Sequence, residues 1–73
     1  LQSLIQEAMD ELPASYHQAF TMHRFQDKTR QEIAETLQVS IKTVDYRIQQ
    51  SLKILRERLK DYLPILAIYG FIL

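Results

Sequence analysis

Residues 29–59, TRQEIAETLQVSIKTVDYRIQQSLKILRERL, carry two helix signals with almost nothing between them. Thr29 and Glu32 have the Ser/Thr-x-x-Asp/Glu spacing in which a hydroxyl and a carboxyl satisfy each other's free backbone amides. A helix is therefore predicted to begin there and run through Ile33, Ala34 and Leu37. Ser40 offers a second N-cap. Behind it Ile41, Val44, Ile48, Leu52, Leu55 and Leu59 recur at steps of three and four, which predicts one buried face on a longer helix running to about Tyr62. The two caps enclose a connection of roughly three residues.

A short helix, a brief turn and a longer amphipathic helix make a helix-turn-helix, whose second helix can lie in the major groove of DNA. Small Ala34 suits a close crossing. At about 100° per residue, Val44, Ile48, Leu52, Leu55 and Leu59 share one sector, while Lys42, Tyr46, Gln49, Gln50 and Lys53 cluster on the far side, without an acid among them. Those side chains can donate to phosphates or read base edges: Gln can bond adenine bidentately, Lys can donate to guanine, and a Tyr or Thr carbon can touch the thymine methyl.

Working outward, Leu4, Ile5, Ala8, Met9 and Leu12 are spaced for one face of a first helix over 1–12, with Gln2, Gln6, Glu7, Asp10 and Glu11 opposite. Pro13 closes that helix through its steric effect on Leu12 and suits the first turn of the next. A second helix is predicted over 14–25, with Tyr16, Ala19, Phe20 and either Met22 or His23 facing inward. Gln26, Asp27 and Lys28 link it to Thr29. Gln38 stands in the inner turn; if it takes positive φ it costs about 1 kcal/mol relative to glycine. The expectation is an all-α domain over 1–63, a small helical bundle of four main helices containing the helix-turn-helix at 29–59. A short apolar C-terminal tail follows over 64–73, with Pro64 marking the end or a kink of the last helix. An exposed apolar tail would invite aggregation, so it is expected to bury, first of all against the early helices of the same chain, otherwise on a second copy or a partner.

With 73 residues and 47% hydrophobic composition there is room for one small domain near the lower limit of independent stability. The chain opens on Leu1 and not Met, so a longer parent protein is expected. Net charge is zero but unevenly placed. Residues 1–27 hold one base against four acids, a net of −3, and residues 29–60 hold seven bases against four acids, a net of +3, so the basic half coincides with the proposed DNA-reading unit. An ordinary solvated helix face explains that asymmetry equally well. The absence of cysteine suits a reducing cytoplasm, and the eleven-residue apolar run 63–73, holding a Pro and a Gly, is too short to span a bilayer. His17 and His23, six apart on an aromatic-rich helix, have no metal-ligand spacing, and Glu7, Asp10 and Glu11 read as a wet helix face. Without a phosphate loop, a nucleophile motif or chain enough for a deep pocket, neither an enzyme nor a cofactor is expected.

The string Glu32-Ile33-Ala34-x-x-Leu37-x-Val39-Ser40-x-x-Thr43-Val44-x-x-x-Ile48, followed by Leu52-x-x-Leu55, resembles region 4 of sigma-70-like RNA polymerase sigma factors. Glu11-Leu12-Pro13, residues 20–25 and the terminal Leu59-Lys60-Asp61-Tyr62-Leu63-Pro64 with its apolar tail are similar to the extracytoplasmic-function branch, particularly the Bacteroidetes type. Effector domains of LuxR-type regulators share much of the core string. The Leu12-Pro13 junction and its distance from Thr29 favour the sigma factor. The resemblance implies that Lys42, Thr43, Asp45, Tyr46, Gln49 and Gln50 face the bases of the minus-35 promoter element, while Arg30, Ser40, Arg47 and Lys53 hold phosphates, helped by helix N-termini. Asp45 on a DNA face would accept from a cytosine amino group, orient Lys42 or Arg47, or repel phosphate. The resemblance further implies a cytoplasmic protein whose partners are double-stranded promoter DNA and the RNA polymerase core. The early helices would dock the β-subunit flap, on a surface that an anti-sigma factor can occlude.

Overall fold

The computed structural model describes residues 2–62. Four α-helices follow one another: α1 over Gln2–Asp10, α2 over Ala14–Arg24, α3 over Arg30–Leu37 and α4 over Ile41–Leu59, with a single 3-10 turn over Lys60–Tyr62. There is no strand among the described residues. The tail 64–73 and the expected break at Pro64 lie outside them.

Each helix ends for a local reason. α1 stops at Asp10, two residues before the predicted end, because Pro13 drives Leu12 out of helical backbone. The amides of Glu11 and Leu12 still reach the carbonyls of Ala8 and Met9 at 3.3 and 3.1 Å, tightening the last turn and keeping Leu12 in the core. α2 starts at Ala14 as predicted, with Pro13 as its N-cap at φ −52° and ψ 145°, and the Pro13 carbonyl accepts from the His17 amide at 2.9 Å. At the far end Phe25 caps α2 and does not extend it. Asp27 then takes φ 54°, which the sequence reading missed, and the Lys28 amide turns back to the Met22 carbonyl at 3.1 Å.

α3 opens on the capping box read from the sequence. The Thr29 hydroxyl accepts from the Glu32 amide at 3.1 Å, and the Glu32 carboxylate accepts from the Thr29 amide at 2.9 Å. Hydrogen bonding to the carboxylate from the Thr29 amide first, and then from the Thr29 hydroxyl, holds the Glu32 carboxyl below its ordinary range. α3 closes with Gln38 in the left-handed region at φ 57°, the conformation that costs it about 1 kcal/mol relative to glycine, while the amides of Gln38 and Val39 both reach the Ala34 carbonyl. Val39 packs back against the core, the apolar contact that goes with such a cap. Ser40 then caps α4, its hydroxyl accepting from the Thr43 amide at 3.0 Å.

α4 is the central element, packing against α1, α2 and α3. Its Val44, Ile48, Leu55 and Leu59 are buried with Ala19 and Phe20 of α2, Ile33 and Ala34 of α3, and Ala8 and Met9 of α1. Ala34 provides the close crossing expected of it. Two positions of the predicted stripe differ: Leu52 is half-buried, and Ile41 is 47% exposed. Ile41 lies in the right angular sector but at the first helical position, and that exposure shows it largely uncovered there. Between the apolar residues sits Ser51, wholly buried. Its hydroxyl donates to the Arg47 carbonyl at 2.7 Å and also lies 3.2 Å from the Tyr16 carbonyl of α2, so a buried polar group is satisfied while joining two helices. Beyond it, an Arg58–Glu11 ion pair ties the end of α4 to the α1–α2 turn.

Candidate nucleic-acid interface

The turn over 38–40 fixes how far α4 stands out from α3, and the core decides which of its faces turns outward. With Val44 and Ile48 sealed, the opposite face presents Lys42, Tyr46, Gln49 and Lys53 as exposed side chains and Gln50 as a half-buried one. The six residues predicted to read bases are thus placed on consecutive turns at the start of α4, but with differing freedom. Thr43 is half-buried and its hydroxyl lies 2.9 Å from that of Ser40, so both hydroxyls share the cap.

Tyr46 is 57% exposed, yet its ring is set edge-on against Tyr16 of α2, with centroids 6.3 Å apart and planes at 80°. A hydrogen bond with Tyr46, then burial, pushes the Tyr16 phenol above its ordinary value. The contact supports Tyr46 from one side and leaves the rest of it open to solvent. Sequence alone gave no sign of this pairing, because it spans thirty residues.

Asp45 pairs with Arg30, the first residue of α3, a partner outside the alternatives the sequence left open for it. Arg47, two positions away, cannot meet it along a helix, whereas the α3–α4 crossing delivers Arg30 to the same flank. Both side chains are about half-exposed. The acid on the reading helix is therefore neutralised by one of the predicted phosphate ligands, and any phosphate at Arg30 has to share it with Asp45. Of the other predicted phosphate ligands, Lys53 is exposed, Arg47 is half-buried beside Tyr16, and the Ser40 hydroxyl is engaged in its cap.

A further feature went unread in the sequence. Where α2 ends and α3 begins, His23, Arg24, Asp27, Lys28, Thr29 and Arg30 line an open depression. His23 is half-buried there, and burial first, then the neighbouring Arg30 and Arg24, hold its imidazole below the usual value, with Asp45 acting weakly in the other direction. The six residues fall within eight positions, but only the reversal at Asp27 turns them toward one another. Among the described residues no group of His, Asp or Glu is arranged to hold a metal ion.

The family model described as Sigma-70, region 4 matches residues 2–55, from the start of α1 through most of α4. The chain belongs to the sigma-70 region 4 family. No curated protein and no solved structure matches the chain. Membership selects the sigma factor over the LuxR-type regulator with which the core string is shared. Region 4 is the DNA-binding part of a sigma factor and recognises the minus-35 element during transcription initiation by RNA polymerase; it is a regulatory binding domain and not an enzyme. Among the described residues no helix is long and apolar enough to cross a membrane.

Proposed function

We propose that this region 4 domain belongs to an extracytoplasmic-function sigma factor of the Bacteroidetes-like type and reads the minus-35 element through the outward face of α4. Lys42, Thr43, Asp45, Tyr46, Gln49 and Gln50 meet the base edges, and Arg30, Ser40, Arg47 and Lys53 grip the flanking phosphates. One observation carries the reading: Val44 and Ile48 are sealed in the core while Lys42, Tyr46, Gln49 and Lys53 stand open on the other side of the same helix. The subtype rests on the Leu12-Pro13 junction and the Leu59–Pro64 pattern. α1 and α2 dock the β-subunit flap, on a surface an anti-sigma factor can cover.

The DNA face is tested by salt titration of duplex binding. Arg47→Ala with Lys53→Ala removes two phosphate contacts, so the slope of log K against log salt falls by about 1.8 in magnitude. Unchanged binding in the double variant, or no binding by the unaltered chain at low salt, refutes the assignment. The sigma role is tested with the full-length protein added to core polymerase: promoter-dependent initiation is expected, and its absence refutes it.

A further inference from the structure

The depression at the α2–α3 junction is separate from the reading face of α4 but joined to it through Arg30, which lines the one and pairs with Asp45 on the other. It is open to solvent and rimmed by three permanent cations, Arg24, Lys28 and Arg30, against the single acid Asp27, a balance that suits an anion. At its wall stands His23, half-buried on the last turn of α2. We propose that the bound duplex seats one backbone phosphodiester in this depression, with Lys28 and Arg30 as its cationic ligands, and that His23 takes up a proton as the phosphate arrives. The proposal rests on the DNA-binding reading above and adds to it a site and a proton linkage.

The charges around His23 come from the three helices that meet there and from the link: Arg24 from α2 itself, Asp27 and Lys28 from the link, Arg30 from α3 and Asp45 from α4. In the free domain burial first, and then the cations Arg30 and Arg24, favour the neutral imidazole. A phosphodiester placed among them reverses the local balance. It cancels the repulsion that keeps the proton off and offers an acceptor to a ring N–H, which favours the charged form. Because it then binds the protonated domain more tightly, linkage makes DNA affinity rise as pH falls from 8 toward 6. A single site limits the rise to about tenfold per pH unit.

The test uses a mixed-sequence duplex of about two helical turns, since a phosphate contact needs no particular bases, with affinity measured at low salt from pH 8 to pH 6. Affinity of the unaltered chain is expected to climb on acidification. His23→Gln flattens the profile, and His17→Gln, which removes the other histidine, leaves it as it was. Lys28→Gln lowers the salt slope by about 0.9, one phosphate contact. Titration of the His23 ring by NMR in the unaltered chain gives a second readout that needs no variant: its midpoint moves up when the duplex is added. An equal pH slope in His23→Gln and unaltered chain, or a His23 midpoint unmoved by DNA, overturns the proposal while leaving DNA binding standing. Loss of all DNA affinity at low salt in the unaltered chain removes the DNA reading and this proposal together.

Discussion

Replacing Val44 by Asp puts the orientation of α4 to a quantitative test. Val44 is fully enclosed, two positions and about 200° around the helix from Tyr46, which is 57% exposed. Removing the valine side chain forfeits about 1.5–3 kcal/mol of burial. The carboxyl that replaces it finds no cation in the surrounding apolar set of Ala19, Phe20, Ile33 and Ile48. Holding it protonated at pH 7, some three units above its ordinary pKa, costs about 4 kcal/mol more. The sum, about 6 kcal/mol, is comparable with the whole stability of about 4–11 kcal/mol expected for a domain of this length. Val44→Asp is therefore unfolded or nearly so at pH 7 by circular dichroism, and it regains helicity as pH falls toward the ordinary carboxyl pKa. Tyr46→Ala loses only an exposed ring and its packing on Tyr16, about 1 kcal/mol, or about 4–8 °C in Tm. A cooperative Val44→Asp melt within a few degrees of the unaltered chain, or a Tyr46→Ala chain that fails to fold, refutes the assignment of faces on which the DNA reading depends.

Gln50→Ala and Tyr46→Ala are each expected to change sequence preference, at a cost of about 1–3 kcal/mol for every base pair that is no longer read, measured by binding to a randomised duplex pool; unchanged preference in both removes them from the reading set. Thr29→Ala opens the capping box and costs about 1 kcal/mol in chemical denaturation. The Thr29 amide, which Thr29→Ala keeps, and then the hydroxyl, which it removes, depress the folded-state pKa of Glu32, so the hydroxyl's share is fully present above the ordinary glutamate pKa and is lost as pH falls through the folded value. The difference between Thr29→Ala and the unaltered chain should therefore narrow in acid, and a gap that widens there contradicts the assignment. Gln38→Gly relieves the left-handed backbone at φ 57° and should stabilise the fold by about 1 kcal/mol; a loss of stability would show that the Gln38 side chain contributes more than its strain costs.

The limits of what the sequence reveals follow from the range of the interactions involved. Thr29 with Glu32, and Ser40 with Thr43, are three residues apart, so the hydrogen bonds that start α3 and α4 can be read from the chain alone. The stripe from Val44 to Leu59 is legible because a 3.6-residue period projects directly onto one face. Positive φ at Gln38 is only a conditional expectation, which the backbone at φ 57° fulfils. The same reasoning fails at Asp27, whose reversal serves a looser link, and at Ile41, where period alone cannot say how far the covering helices extend.

The residues of the proposed interface were named from the sequence, but the contacts they make with one another were not. Tyr16 with Tyr46 and Arg30 with Asp45 are contacts across helix crossings, and no local rule pairs them. These relations qualify what each reading residue can do. Asp45 is half of an ion pair, so under the proposed reading its effect on base preference depends on whether Arg30 stays with it or moves to a phosphate. Tyr46 is held by Tyr16 of α2, and Arg30 stands where the proposed reading face, the α3 N-terminus and the His23 depression converge. A substitution at Arg30 should accordingly be the least additive in the domain, since it removes a phosphate ligand and leaves Asp45 uncompensated at once. A double-mutant cycle of Arg30→Ala with Asp45→Asn, read by duplex affinity, should recover part of the loss, because neutralising Asp45 removes the repulsion that Arg30→Ala exposes. Simple additivity of the two would mean that the pair does not act as a unit on the DNA.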